Sequence, residues 1–205
     1  MGDPPATMRS AGDEIAGHAS RMLGAVTVTV LMLATCWGVE VLNYADEGTL
    51  STEYGIRAHS TGSIWHIFTA PFLHANLDHI MANSLPLAIL GFLAASRGLG
   101  RFVTVSLIVI VVSGLSVWFL AAPGSVTVGA SGLIFGYFGY LLARGFVEHR
   151  LMDIVIAFAV AVLYGTMLFG VLPGRPGISW QAHLFGLIGG MLAAWFTRRR
   201  AEAAV

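Results

Sequence analysis

A serine among small residues and a distant histidine are the groups of this chain best suited to nucleophilic catalysis. Ser131 stands in Gly129-Ala130-Ser131-Gly132. His183 stands in Ala182-His183-Leu184-Phe185-Gly186, with Gly190 one turn later. A serine hydroxyl is a weak nucleophile until a neighbouring base takes its proton, and histidine is the commonest such base. The glycines beside Ser131 allow close backbone approach and let amide N–H groups face a ligand. A third group, His74, His79 and Asn83, lies upstream. His79 and Asn83 are four apart and share one helical face, from which both could donate hydrogen bonds to a developing oxyanion. The tetrad around Ser131 is not the G-x-S-x-G of soluble hydrolases, because position 133 is Leu. His74 and His79 are five apart and no second pair has H-x-x-x-H spacing, so a metal site is not expected. No carboxylate is placed to complete a triad: Asp78 lies off the Asn83 face, and Glu40, Glu148 and Asp153 fall near the ends of apolar stretches. The expected arrangement is a Ser–His dyad whose imidazole is oriented by packing.

The elements that must position these groups are membrane helices. The chain has 205 residues, 56% hydrophobic and only 11% charged, with 25 glycines and a mean hydropathy of +0.77. Soluble domains carry about 25% charged residues, so a disordered chain, a nucleic-acid binder and most cytosolic enzymes are excluded. Six apolar stretches stand out, at about 22–44, 77–95, 102–121, 129–146, 152–172 and 181–197. Each approaches the roughly 20 residues that a spanning helix needs. Gly- and Pro-rich turns divide them at 97–100, 123–125 and 173–177. The segment 45–76 is the one long connection. Its aromatic second half (Trp65, Phe68, Phe72) suits a loop lying partly in the membrane interface. The reading is an all-α polytopic membrane protein: a tail over 1–21, one six-helix domain over 22–197, and a tail over 198–205. Cys36, the only cysteine, falls in an apolar run and reads as a small buried side chain. The hydroxyls of Ser84, Ser106, Ser113 and Ser116 are expected to bond back to their own helices, and His18, His59 and His149 to be solvated.

All eleven basic residues are arginines. Arg9, Arg21, Arg97, Arg101, Arg144, Arg150, Arg198, Arg199 and Arg200 fall on one side of the expected spans, and only Arg57 and Arg175 on the other. The positive-inside rule then puts both termini in the cytoplasm. Asn83 lies 14 residues before Arg97, Ser131 13 before Arg144, and His183 15 before Arg198. At about 1.5 Å per residue, each is roughly 20 Å above the cytoplasmic boundary of a core about 30 Å thick. An amide, a hydroxyl and an imidazole from spans two, four and six thus share one level, where polar groups turn toward a protein interior or water. Gly132 with Gly136, and Gly186 with Gly190, form small-residue faces; packing these together would bring Ser131 close to His183.

In these residues the chain resembles the rhomboid family of intramembrane serine proteases in its basic six-span bacterial form. The resemblance rests on H-x-x-x-x-H-x-x-x-N at His74, His79 and Asn83, on G-A-S-G at Ser131, and on A-H-x-x-G-x-x-x-G at His183, Gly186 and Gly190. It implies a six-helix bundle with a membrane-associated first loop, in a bacterial inner membrane. It further implies Ser131 as nucleophile, His183 as general base, and Asn83, His79 and the Ser131 N–H as oxyanion donors. The implied substrates are transmembrane helices of other proteins, cut near the outer face without metal or nucleotide. Two positions depart from the family pattern. Phe135 stands where a tyrosine usually stacks on the histidine, and Trp65-His66 where the first loop usually carries Trp-Arg. Two other readings of the same residues are a catalytically silent relative that binds membrane clients and a small transporter using the polar layer as a pathway. Retention of both Ser131 and His183 speaks against the first, and the lack of paired ionisable groups across the bilayer against the second.

Overall fold

The computed structural model describes residues 11–198; Arg9, Arg199 and Arg200, with the rest of 1–10 and 199–205, lie outside them. Helix α1 runs Ala11–Ala45 and is followed by a short helix, α2 (Thr49–Tyr54). Then come α3 (Leu77–Ala95), α4 (Leu99–Leu120), α5 (Ser131–Glu148), α6 (Leu151–Tyr164) and α7 (Trp180–Phe196). The six long helices coincide with the six apolar stretches. Two boundaries differ, each for a physical reason. α1 starts at Ala11, not near 22, because hydropathy marks where a helix would enter lipid, not where its hydrogen bonds begin. Asp13 and Glu14 in the first turn suit the positive end of the helix dipole. His18 therefore lies on a helix. The stretch 152–172 is α-helical only to Tyr164 and continues as a tighter 3-10 turn over Gly165–Val171, where Gly165 and Gly170 weaken the helix ahead of Pro173.

Among the described residues, four segments, Asp13–Ala45, Leu77–Ala95, Leu99–Leu120 and Leu151–Val171, are long and apolar enough to cross a membrane. α5 is apolar but shorter, and it occupies the centre. Thirteen of its 18 residues are buried, and it packs against α3, α4, α6 and α7, while α1 lies outside against α3. Small residues allow this closeness. A Cβ on Gly186 would strike the Gly132 carbonyl, and one on Gly190 the Gly136 carbonyl. Both partners advance by four residues, so α5 and α7 run in the same direction. α3 runs with them: Gly129 meets Asn83, and Tyr137 lies beside Gly91.

The connection 45–76 is more ordered than its composition suggests. Besides α2 it holds a two-residue strand, β1 (Ile56–Arg57), and 3-10 turns at Thr61–Ile67 and Ala70–Phe72. β1 pairs antiparallel with β2 (Val126–Thr127), Ile56 opposite Thr127. Trp65 stays exposed, while His66 Nδ1 donates to the Gly55 carbonyl at 3.0 Å and takes up an anchoring position within the loop. His59, expected to be solvated, is exposed but bonds the Ala121 carbonyl through Nε2 at 3.2 Å. Ser84, Ser106 and Ser116 bond carbonyls of their own helices; the Ser113 hydroxyl instead faces Gly132. At the end of the bundle away from the strands, Asp153 accepts from Arg144 Nε at 3.2 Å and pairs with Arg97 Nη2 at 2.8 Å. Arg144 also donates to the Tyr140 hydroxyl at 3.1 Å and pairs with Glu148.

Candidate active site

Ser131 is the first residue of α5, and the turn before it is set by the first loop. The β1–β2 pairing is extended by Ala58 N–H to the Ser125 carbonyl (3.0 Å) and Gly124 N–H to the Ala58 carbonyl (3.2 Å). Gly129 then has φ +123°, a conformation that favours glycine. Its N–H donates to the Ala70 carbonyl at 2.9 Å. A side chain at this position would also collide with the His79 ring, since a Cβ would lie 2.7 Å from Cε1 and 2.8 Å from Nε2. The next amide, Ala130 N–H, donates to His74 Nε2 at 3.4 Å. Amides of a first helical turn have no acceptor within the helix, and the Ser131 N–H has no backbone acceptor among the described residues.

α3 brings its polar face to this turn. The Asn76 side chain caps the helix by accepting from His79 N–H at 2.9 Å. One turn on, Asn83 is buried, and its amide nitrogen has no hydrogen-bond partner. That nitrogen lies 3.7 Å from where a Gly129 Cβ would be. His74 packs edge-on against His79, with ring centroids 5.1 Å apart. It sits in the loop ahead of α3, fully buried, and burial together with His79 holds its pKa down at about 4. The ring is therefore neutral. With Nε2 accepting from Ala130, its proton belongs on Nδ1. The His74 backbone is fixed in turn, because its carbonyl accepts from Asn43 Nδ2 (3.1 Å) and Ser51 Oγ (2.6 Å).

α7 supplies the imidazole. Ser179 caps the helix through Ala182 N–H at 3.4 Å, which puts His183 in the first turn. The His183 ring stacks on Phe135 with centroids 4.1 Å apart and planes 11° from parallel. The phenyl face is thus sufficient for stacking where the family's usual tyrosine is absent. His183 Nδ1 lies 2.9 Å from the Gly170 carbonyl. A carbonyl only accepts, so Nδ1 carries a proton, and in the neutral ring Nε2 is then the acceptor. Ser131 precedes Gly132, the residue on which Gly186 packs, and His183 lies one turn before Gly186. Phe135, one turn after Ser131, bridges to the histidine. Ser131 and His183 are not hydrogen-bonded to each other among the described residues.

All ten residues singled out from the sequence therefore converge here except Gly190, which packs on Gly136 one turn further down the same helix contact. Such a site offers a hydroxyl at a helix start, an imidazole whose Nδ1 bonds a carbonyl, and the Asn83 amide and His79 ring packed against the turn before Ser131. Ala70, Asn43, Ser51 and Gly170 also shape it. The first and last act through backbone carbonyls, which no residue type announces. Among the described residues, no cluster of three or more His, Cys, Asp or Glu could hold a metal ion.

Known proteins are similar to this chain in sequence. A family model described as Rhomboid domain matches residues 61–200. An uncharacterized protein of Mycobacterium leprae is 41% identical over 182 residues, 85% of this chain and 71% of that protein. Rhomboid-like protease 5 of Toxoplasma gondii is 33% identical over 164 residues, 78% of this chain but 19% of that much longer protein. The Bacillus subtilis protein YdcA, a rhomboid protease by name, is 29% identical over 150 residues, 70% of this chain and 72% of its own length.

Proposed function

The chain belongs to the rhomboid family, whose members are generally membrane-embedded serine proteases, and from that premise we propose that it is an intramembrane serine endopeptidase working by a Ser131–His183 dyad. His183 Nε2 takes the Ser131 proton as Oγ attacks the scissile carbonyl, giving a tetrahedral intermediate. Asn83 Nδ2, His79 and the Ser131 N–H receive the oxyanion. Collapse of the intermediate breaks the C–N bond, the imidazolium protonates the leaving amine, and an acyl-enzyme remains. Water, deprotonated by the same imidazole, then releases it. The substrates are transmembrane segments of other membrane proteins, cut where small or helix-destabilising residues let the backbone reach a site walled by glycines. The enzyme sits in the cell's inner membrane as one six-span domain over 22–197, with both termini in the cytoplasm.

One observation carries the reading. The Asn83 amide is buried with nothing to bond, at a helix start whose serine neighbours a histidine with an open lone pair. A buried unpaired donor costs about 1–3 kcal/mol, and a transient oxyanion is a partner that would offset this cost. The test is labelling with a fluorophosphonate in detergent and in liposomes, followed by cleavage of a model transmembrane substrate. Wild-type protein is expected to label, and Ser131→Ala and His183→Ala to abolish both labelling and cleavage. Robust labelling of Ser131→Ala would sink the dyad, and an unreactive wild type would favour a silent client-binding relative.

A further inference from the structure

The carbonyl of Gly170 occupies the place that a carboxylate holds in a catalytic triad. It accepts from His183 Nδ1 at 2.9 Å, on the side of the ring opposite the nitrogen that must face Ser131. We infer that Gly170 is a positioning residue for His183, its carbonyl setting the rotation and the protonated nitrogen of the imidazole. This inference builds on the protease reading above.

Three observations lead to it. First, the ring is held from two sides, by Phe135 stacked on its face and by Gly170 at its edge. The stack fixes the plane of the imidazole but not its rotation within that plane, nor which nitrogen is protonated. The hydrogen bond fixes both. Second, the fit at Gly170 is tight. A Cβ there would lie 3.0 Å from Phe135 Cζ and 3.1 Å from His183 Nδ1, so a side chain at this position would press on both stacked rings. Gly165, five residues earlier in the same turn, has nothing within 4 Å of its Cβ position. Third, this is the one side-chain hydrogen bond of His183 among the described residues, and no carboxylate bonds the ring. With Nδ1 held, Nε2 is aimed toward Ser131 and the transferred charge is shared through Nδ1–H.

The test compares Gly170→Ala with Gly165→Ala and wild type in lipid bicelles. Gly170→Ala is expected to lower kcat and the fluorophosphonate labelling rate on the order of 10²-fold, as misplacement of a catalytic group does. KM for a transmembrane substrate should stay within about twofold, as expected when substrate binding is untouched. Gly165→Ala should match wild type in both. Selective ¹⁵N-histidine labelling gives a readout independent of activity. Wild-type His183 should show a protonated Nδ1 with a slowly exchanging, low-field proton that disappears in Gly170→Ala. Wild-type rates together with an unchanged Nδ1–H signal in Gly170→Ala would overturn the inference while leaving the Ser131–His183 dyad standing. So would a wild-type His183 protonated on Nε2. If Gly170→Ala fails to fold, the wild-type resonance alone decides: a rapidly exchanging Nδ1 proton refutes the bond. An unreactive wild type would instead remove the protease reading itself.

Discussion

Like His74 at Nδ1 and Arg97 at Nε, Asn83 buries a nitrogen with no hydrogen-bond partner among the described residues. Replacing it separates chemistry from folding. Asn83→Ala should lower kcat by about 10²–10³-fold, the usual effect of losing one oxyanion donor, with KM little changed. Its thermal unfolding midpoint should stay at or above wild type, because an unpaired buried donor is removed. Steady-state cleavage and melting in the same detergent check both halves. At this scale the sequence was informative: Asn83, Ser131 and His183 declare themselves by type, since polar groups in apolar stretches are rare. Gly170 and Ala70 do not, because each contributes a backbone carbonyl that every residue possesses.

Helices α5 and α7 meet at glycines whose hydrogens touch the partner's backbone. A Cβ on Gly190 would meet the Gly136 carbonyl and the Tyr140 amide, and backbone cannot move aside as a side chain can. Gly190→Ala should therefore cost about 1–3 kcal/mol as overpacking, seen as a lower unfolding temperature. Because it pries α7 from α5, it should also slow fluorophosphonate labelling of Ser131. The six helices were legible as elements because apolar runs of this length have few alternatives. Their ends were less so. The extension of α1 to Ala11 and the tightening after Tyr164 depend on hydrogen bonding, to which hydropathy is blind. The β1–β2 pairing was hidden altogether, because two residues on each side carry no period to detect.

Across the whole molecule, one buried ionic cluster ties the turn after α3, the end of α5 and the start of α6 together through Arg97, Arg144 and Asp153. Removing one charge from such a cluster leaves the others uncompensated. Asp153→Asn should destabilise the fold by about 3–5 kcal/mol, measured by thermal or denaturant unfolding in detergent. Charge counts along the sequence treated these arginines as markers of one membrane face; their pairing inward with Asp153 and Glu148 is a tertiary fact. What the sequence determined by itself was the family, the helical elements and the candidates for chemistry, because residue type and apolar length are local properties. Only the tertiary structure decided that the Gly170 carbonyl orients His183, that His66 anchors the first loop, and that Gly129 seats His79 and Asn83 over the start of α5. Each of these depends on backbone groups or on contacts between distant segments, and a hydrogen bond to a carbonyl leaves no mark on the identity of the residue that offers it.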